Sequence, residues 1–314
     1  MMDYTVVATT FNDSKEIKTY LKSICCQTFP PKEIIIADGG SSDDTVLICT
    51  KFDSGDKTKI TVLNDGRLNI SQGYNLAIRN TTTEYVGVTG IGNYYATDYF
   101  EKLLRYIPEY DVVYSPVRGY DINKYAKKYN STFLNGDCGQ RISIATNHGV
   151  LIRKSIFDDF GYFYEKFVYA GEDAEFYQLV KDAGYSTLIV PDAKCLWYTP
   201  KNRMEFLKQI KNYAIADMQI YGLKNTIKRE KRNILKVLID VLCILGALIT
   251  SFFDFFWPLL FGGIFVAIHI VDAYKNKGKN YEMVIEQRFY KLYYYFRFRK
   301  YFCIDYQVQR EKKK

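Results

Sequence analysis

Histidine is nearly absent from this chain: His148 and His269 are the only two in 314 residues. A zinc site built from several histidines is therefore excluded. Cysteine offers no framework either. Seven cysteines, an odd number, are scattered without Cys-x-x-Cys spacing, and Cys25 and Cys26 are adjacent. That pattern suits neither a chelate nor a staple and predicts reduced thiols in a cytosolic compartment. Seven prolines beside a hydrophobic fraction of 48% exclude a fibrous or disordered chain. No basic, apolar leader opens the sequence, because Met-Met-Asp-Tyr runs directly into an apolar strand; no signal peptide is expected.

Negative charge is also scarce, but only locally. Residues 223–314 carry 18 Lys/Arg against 8 Asp/Glu, while residues 1–222 carry 25 against 27. The whole net charge of +8 thus belongs to the C-terminal third, which also holds the longest apolar segments. A basic excess confined to such flanks points to lipid headgroups and away from nucleic acid.

The first 116 residues alternate short apolar runs with helical patterns. Residues 4–8, 33–38, 59–63, 84–89 and 111–115 read as strands. Helices are expected from Ser14 to about residue 24, from Asp43/Asp44, and over 71–79. The run Glu33-Ile-Ile-Ile-Ala-Asp38 has the continuous apolar character of a parallel strand buried on both faces. Such alternation implies βαβ units and a doubly wound, mostly parallel α/β sheet. Residues 117–146 read as a long polar, Tyr-rich loop. Regular structure resumes at 149–152, with helices at 154–160 and 174–183, a strand at 186–190, and an amphipathic helix over 203–221.

Residues 237–271 are strongly apolar, interrupted by Asp240, Asp254, Pro258 and His269. Two spans of nearly bilayer length are expected, 234–253 and 255–271, flanked by Lys224, Lys228, Arg229, Lys231 and Arg232 on one side and Lys275, Lys277 and Lys279 on the other. Basic flanks at both ends predict a hairpin with both ends cytoplasmic; re-entrant or interfacial helices are the alternative. The tail at 288–302 interleaves aromatics with Lys and Arg, as suits a headgroup layer.

Two constellations carry chemistry. The first joins residues 6–12 to Asp-Gly-Gly-Ser-Ser-Asp-Asp-Thr at 38–45. An acid ending a buried strand, followed by two glycines, forms a loop that can approach a ligand at the carboxyl end of the sheet. An ordinary strand–turn–helix joint capped by Asp43 or Asp44 would satisfy the same residues. The second is Tyr169-Ala-Gly-Glu-Asp-Ala-Glu-Phe176, which places two adjacent carboxylates at a helix start. They can cap the helix through its dipole or serve as a general base.

Together these segments resemble the family-2 glycosyltransferases, whose fold is the GT-A nucleotide-sugar domain; the resemblance covers about residues 3–220. It implies that Thr9 and Phe11 flank the nucleotide base, with Asp38 and Gly39 beside it. It also implies that the segment 71–75 lies near the diphosphate, although Gly73-Tyr74-Asn75 replaces the usual Ala-Arg-Asn and only Asn75 matches. Asp173 takes the position of the inverting base, and Glu172 that of its neighbour in acceptor binding. Gly171 and His148 fall on the acceptor side. Family members usually hold Mn²⁺ or Mg²⁺ with Asp-x-Asp and often a later histidine. Here Gly90-Ile-Gly-Asn93 and Leu196-Trp-Tyr198 stand in those places, so the ligands of a divalent cation are missing. Backbone N–H groups around Gly90 and Gly92 are expected to face the phosphates, with Arg141, Lys201 and Arg203 as candidate cations.

The resulting expectation is a GT-A-like domain at 1–222, a basic juxtamembrane linker at 223–233, a hydrophobic helical hairpin at 234–273 and a basic aromatic tail at 274–314. Its activity would be inverting transfer from a nucleotide-diphosphate sugar to a lipid-linked or cell-surface glycan acceptor, at the cytoplasmic face of the cell membrane. The lost metal and arginine positions also fit a catalytically silent sugar-nucleotide-binding subunit of a glycan-assembly complex.

Overall fold

A computed structural model describes residues 2–55, 57–134, 144–167, 169–252 and 256–303. Its contacts divide the chain into two compact units, essentially residues 2–201 and 202–303, with residues 131–133 joining the second.

The first unit is built from β1 (Tyr4–Thr10), α1 (Ile17–Cys25), β2 (Glu33–Asp38), α2 (Thr45–Thr50), β3 (Lys59–Asn64), α3 (Ile70–Arg79), β4 (Tyr85–Thr89), β5 (Asn93–Tyr95), α4 (Tyr99–Leu104), β6 (Val112–Tyr114), β7 (Val117–Gly119), α5 (Lys124–Phe133), β8 (Gly149–Arg153), α6 (Ser155–Phe160), α7 (Glu172–Asp182), β9 (Thr187–Ile189) and β10 (Cys195–Trp197). Seven strands form one sheet in the order β3-β2-β1-β4-β8-β6-β9. It is parallel except for β8, which runs antiparallel to both β4 and β6. The expected mostly parallel α/β sheet is therefore present.

Both faces of the sheet are covered, which explains the continuous apolar strands. Along β1 and β2, Val6, Ala8, Ile34 and Ile36 enter one core with residues of α1 and α4, while Val7, Ile35 and Ala37 enter the other with residues of α3, α6 and α7. The α3 helix starts where Asn69 accepts from the Gln72 N–H and Gln72 in turn accepts from the Asn69 N–H, a complete capping box.

Several boundaries depart from the sequence reading. Ser14 caps nothing: α1 begins at Ile17, after the Glu16 and Ile17 N–H groups turn back onto the Asp13 carbonyl. The stretch 117–146 is not one loop, since it contains β7 and α5, the latter capped by Asn123, whose side chain accepts from Ala126 N–H. β7 belongs to a second sheet in the order β5-β10-β7, which places the residues after Gly92 beside the end of β10.

The second unit contains α8 (Arg203–Thr250), α9 (Phe256–Lys275), α10 (Tyr281–Arg297) and a 3₁₀ turn at Arg299–Cys303. The contacts thus change hands ahead of α8, not at residue 222. At 222 the helix instead breaks, where Gly222 adopts φ 63°. The aromatic tail is helical through most of its length, with Asn280 capping α10 by accepting from Met283 N–H. Both α8 and α9 contain stretches long and apolar enough to cross a membrane.

Candidate functional site

At the carboxyl ends of β1 and β2, the polar run after Asp38 is tied to the loop after β1. Asn12, at φ 56°, donates its N–H to Ser41 Oγ at 2.8 Å and accepts from Ser42 N–H at 2.8 Å. Asp13 N–H donates to Thr45 Oγ1, and Ser14 N–H to Asp43. Thr45 donates both its N–H and hydroxyl to Asp43, which holds that carboxyl low, at about 2. The Ser-Ser-Asp-Asp-Thr segment therefore fixes the shape of the loop that presents Phe11, a residue 53% exposed.

Asp38 is fully buried. Its Oδ2 accepts from Gly40 and Ser41 N–H groups at 3.1 and 3.0 Å, and its Oδ1 has no partner among the described residues. An unmatched buried carboxylate oxygen is costly, and a ligand N–H would relieve it. Gly39 lies against the backbone carbonyls of Thr10 and Leu68. Thr9, half-buried, lies close under α3: a Cβ on Gly73 would come within 2.3 Å of its Oγ1. This close approach accounts for Gly73.

The Asn75 amide is taken up within the fold. Its Nδ2 donates to Phe163 O and to Glu165 Oε1, and its Oδ1 accepts from Phe163 N–H at 2.9 Å. The amide is buried and engaged at both ends, and it clamps the 163–165 segment to α3.

The carboxylate pair opens α7 behind Gly171, which sits at φ 104°. Glu172 is buried, with Oε1 accepting from Asn147 Nδ2 at 3.3 Å and Oε2 unpartnered among the described residues. Asp173 is half-buried; its Oδ1 accepts from Ala174 N–H at 2.7 Å and its Oδ2 lies 3.4 Å from Asn147 N–H. Burial, and secondarily the Asp173 charge, push the Glu172 carboxyl well above the glutamate range. Burial also raises Asp173, against the lowering pull of the Ala174 and Asn147 N–H groups. Asn147 is the joint of this region, because its Oδ1 also accepts from Tyr177 OH at 3.1 Å. Sequence reading passed over it, and its place beside His148 was the only signal.

The segment from Gly90 to Asn93 meets the 146–148 loop. Gly90 N–H donates to Tyr95 OH, and Asn93 N–H closes a turn on the Gly90 carbonyl. The N–H groups of Ile91 and Gly92 make no hydrogen bond among the described residues, so the backbone donors left here are these two. Gly92 sits at φ 87°, a conformation that a side chain would strain. His148 Nδ1 lies 3.2 Å from Asn93 Oδ1; an amide oxygen only accepts, so Nδ1 carries the proton and Nε2 is left as an acceptor. Burial lowers the His148 pKa to about 4, which keeps the ring neutral. The ring packs on Trp197 with centroids 4.7 Å apart.

These donors do not fit a hard divalent cation. They are an amide already bonded to an imidazole, backbone carbonyls and no carboxylate, and among the described residues no group of three His, Cys, Asp or Glu converges on a common point. Of the candidate cations, Lys201 pairs with Glu16 at 3.6 Å, Arg203 is paired with Glu286 in the second unit, and Arg141 lies outside the described residues.

The sequence profile of glycosyl transferase family 2 matches residues 5–161, half of the chain. A curated relative, the glycosyltransferase GlyA of Streptococcus pneumoniae serotype 4, is 27% identical over 120 residues; the match covers 38% of this chain and 17% of that protein. The chain thus spans about a sixth of the length of that relative. Among solved structures, the mannosyltransferase PcManGT of Pyrobaculum calidifontis, in complex with GDP-Man and Mn²⁺, superposes with a TM-score of 0.66 at 17% identity, over 94% of this chain and 88% of that one. Residues 1–349 of TarS from S. aureus, in complex with UDP-GlcNAc, superpose with a TM-score of 0.53 at 19% identity, over 76% and 72%. At these identities the likeness is one of fold.

Proposed function

This chain belongs to glycosyl transferase family 2, and from that premise we propose that it moves a sugar from a nucleotide-diphosphate sugar to an acceptor hydroxyl with inversion, using Asp173 as general base. The observation that carries this reading is the Glu172–Asp173 pair, held against the 146–148 loop through Asn147. Burial raises the basicity of Asp173, and a base nearer neutrality takes a proton more effectively in the transition state. Glu172, carrying its own proton more readily, limits the repulsion that two adjacent anions would impose.

In this arrangement Asp38 Oδ1 accepts from the nucleotide base, with Phe11 beside the ring. The acceptor hydroxyl lies between Asp173 and the unprotonated His148 Nε2. Asp173 takes the hydroxyl proton as the oxygen attacks the anomeric carbon from the face opposite the nucleoside diphosphate, which leaves with the bonding pair. The Ile91 and Gly92 N–H groups meet the departing diphosphate. No step is assigned to a metal ion. The apolar stretches of α8 and α9 form a hairpin whose two basic ends are cytoplasmic, which makes a lipid-linked or cell-surface glycan the acceptor class.

The test is turnover of a panel of nucleotide sugars with lipid acceptors, with and without EDTA, for the full-length protein and Asp173→Asn. Transfer that survives chelation and collapses in the variant is the expected result. Strict Mn²⁺ dependence would overturn the metal-free reading. Sugar-nucleotide binding with no turnover in either protein would establish the silent-subunit reading instead.

A further inference from the structure

The second unit holds a groove of about 920 Å³ between α8, just past its break at Gly222, and the end of α10. Its walls are apolar: Leu223, Ile227 and Ile234 from α8 face Leu292 and Phe296 from α10. Tyr295 forms part of the floor and is fixed there, buried, by donating to Asp217 at 3.0 Å. Leu223, Ile227 and Phe296 are 54%, 49% and 74% exposed, so the groove leaves a substantial apolar surface open.

One end of the groove is cationic. Arg297, Arg299 and Lys300 line it, and all three are exposed. Lys224, Lys228, Lys231 and Arg232 of α8 make no salt bridge among the described residues, but they do not line the groove, and several other basic residues of these helices are paired. Lys291 bridges Asp217 and Glu230 at 2.7 and 2.6 Å, Arg288 and Lys236 both pair with Asp272, and Arg203 pairs with Glu286. Arg297, Arg299 and Lys300 take part in no salt bridge among the described residues; they lie against the rings of Phe298, Phe296 and Tyr301, and Arg299 also donates to the Phe296 carbonyl at 3.4 Å. The other end reaches Ile234, where the long apolar stretch of α8 begins. An apolar channel continuous with the hairpin at one end and closed by three unmatched cations at the other is complementary to an amphiphile with an anionic head.

We propose that this groove binds one anionic phospholipid of the bilayer, with its phosphate on Arg297, Arg299 and Lys300 and an acyl chain along Leu223, Ile227 and Ile234. The assignment rests on the membrane reading of α8 and α9. It differs from diffuse attraction to a charged surface, in which each nearby cation contributes about equally.

The experiment uses the full-length protein with vesicles of phosphatidylcholine alone or with added phosphatidylglycerol, read by flotation, and native mass spectrometry of retained lipid. Three variants are compared: R297Q/R299Q/K300Q, the control K224Q/K228Q/K231Q, which removes the same charge from α8 outside the groove, and Ile227→Gln, which changes no charge. A retained one-to-one phosphatidylglycerol adduct is expected. The groove triple variant should lose it about tenfold or more relative to the control triple, and Ile227→Gln should weaken it at constant charge. Equal losses in the two triple variants would overturn the site in favour of diffuse electrostatics, while flotation with both vesicle types would keep the membrane reading intact. Failure of the wild type to float with either vesicle would overturn the membrane reading, and the lipid site with it.

Discussion

The two units bury opposite kinds of side chain. In the α/β unit the large apolar side chains are inside: Leu103, Phe100, Ile34 and Val86 have no exposed surface. In the helical unit the order is reversed. Leu242, Leu248, Leu259 and Phe252 are 64%, 58%, 60% and 86% exposed, whereas Asp240 and Asp272 are 5% and 4% exposed. Water rewards the first arrangement. The second is what the proposed membrane hairpin requires, since helices in hydrocarbon turn apolar side chains outward and pair their charges within the bundle. The same amino acid thus has a different structural meaning in each half, and substitutions can test whether that is so.

The largest effect is expected in the α/β unit, at the half-buried carboxylate proposed as the base. Asp173→Asn removes the base without changing side-chain volume, and should lower kcat of sugar transfer by about 10²–10⁴-fold with an unchanged circular dichroism spectrum. Next comes the buried charge of the helical unit. Asp272→Ala leaves Lys236 and Arg288 without their shared partner and should destabilise the bundle by about 3–5 kcal/mol, read as a fall in Tm in detergent. Transfer activity that fell with no change in Tm would instead give Asp272 a role like that of Asp173, and the contrast between the units would break. A third comparison uses one substitution twice. Leu103→Ala should cost about 2–5 kcal/mol, while Leu248→Ala should stay within about 0.5 kcal/mol in detergent. Equal losses would mean that α8 is a core helix with its partner elsewhere.

How much of this was legible depended on where the partners lie. Strands β1 and β2 were readable because a strand covered on both faces must be apolar throughout, whatever covers it. The helix α5 was not, since Lys-Tyr-Ala-Lys-Lys-Tyr-Asn has too weak an apolar pattern, and only its Asn123 cap marks the start. In the site, Glu172 and Asp173 were visible as adjacent acids at a helix start. The clamp made by Asn75 was not visible, because its partners, Phe163 and Glu165, are 88 and 90 residues away. The loss of Asp-x-Asp could be read directly, whereas the Asn93–His148–Trp197 cluster that occupies its surroundings needs three segments brought together. Local chemistry survives in a sequence; a contact between distant segments leaves no pattern to count.

The smallest effect separates two titrating groups within the α/β unit. His148 is half-buried and neutral, and desolvation lowers its pKa to about 4, against about 6.5 in an unfolded chain. Between those values the unfolded chain takes up a proton that the folded one refuses, so stability is complete above about pH 6.5 and falls as the pH drops toward 4. Glu172 acts in the opposite sense. Its folded pKa is raised, so its contribution is complete below the unfolded glutamate value of about 4.3 and declines as the pH rises through the raised value. Denaturant unfolding followed from pH 4 to 9 should therefore show His148→Asn losing only the acid-side slope and Glu172→Gln losing only the alkaline-side slope. A Glu172→Gln protein whose disadvantage grew with pH would mean that the carboxylate is stabilised as an anion, and the pairing of a proton-holding Glu172 with a basic Asp173 would have to be abandoned.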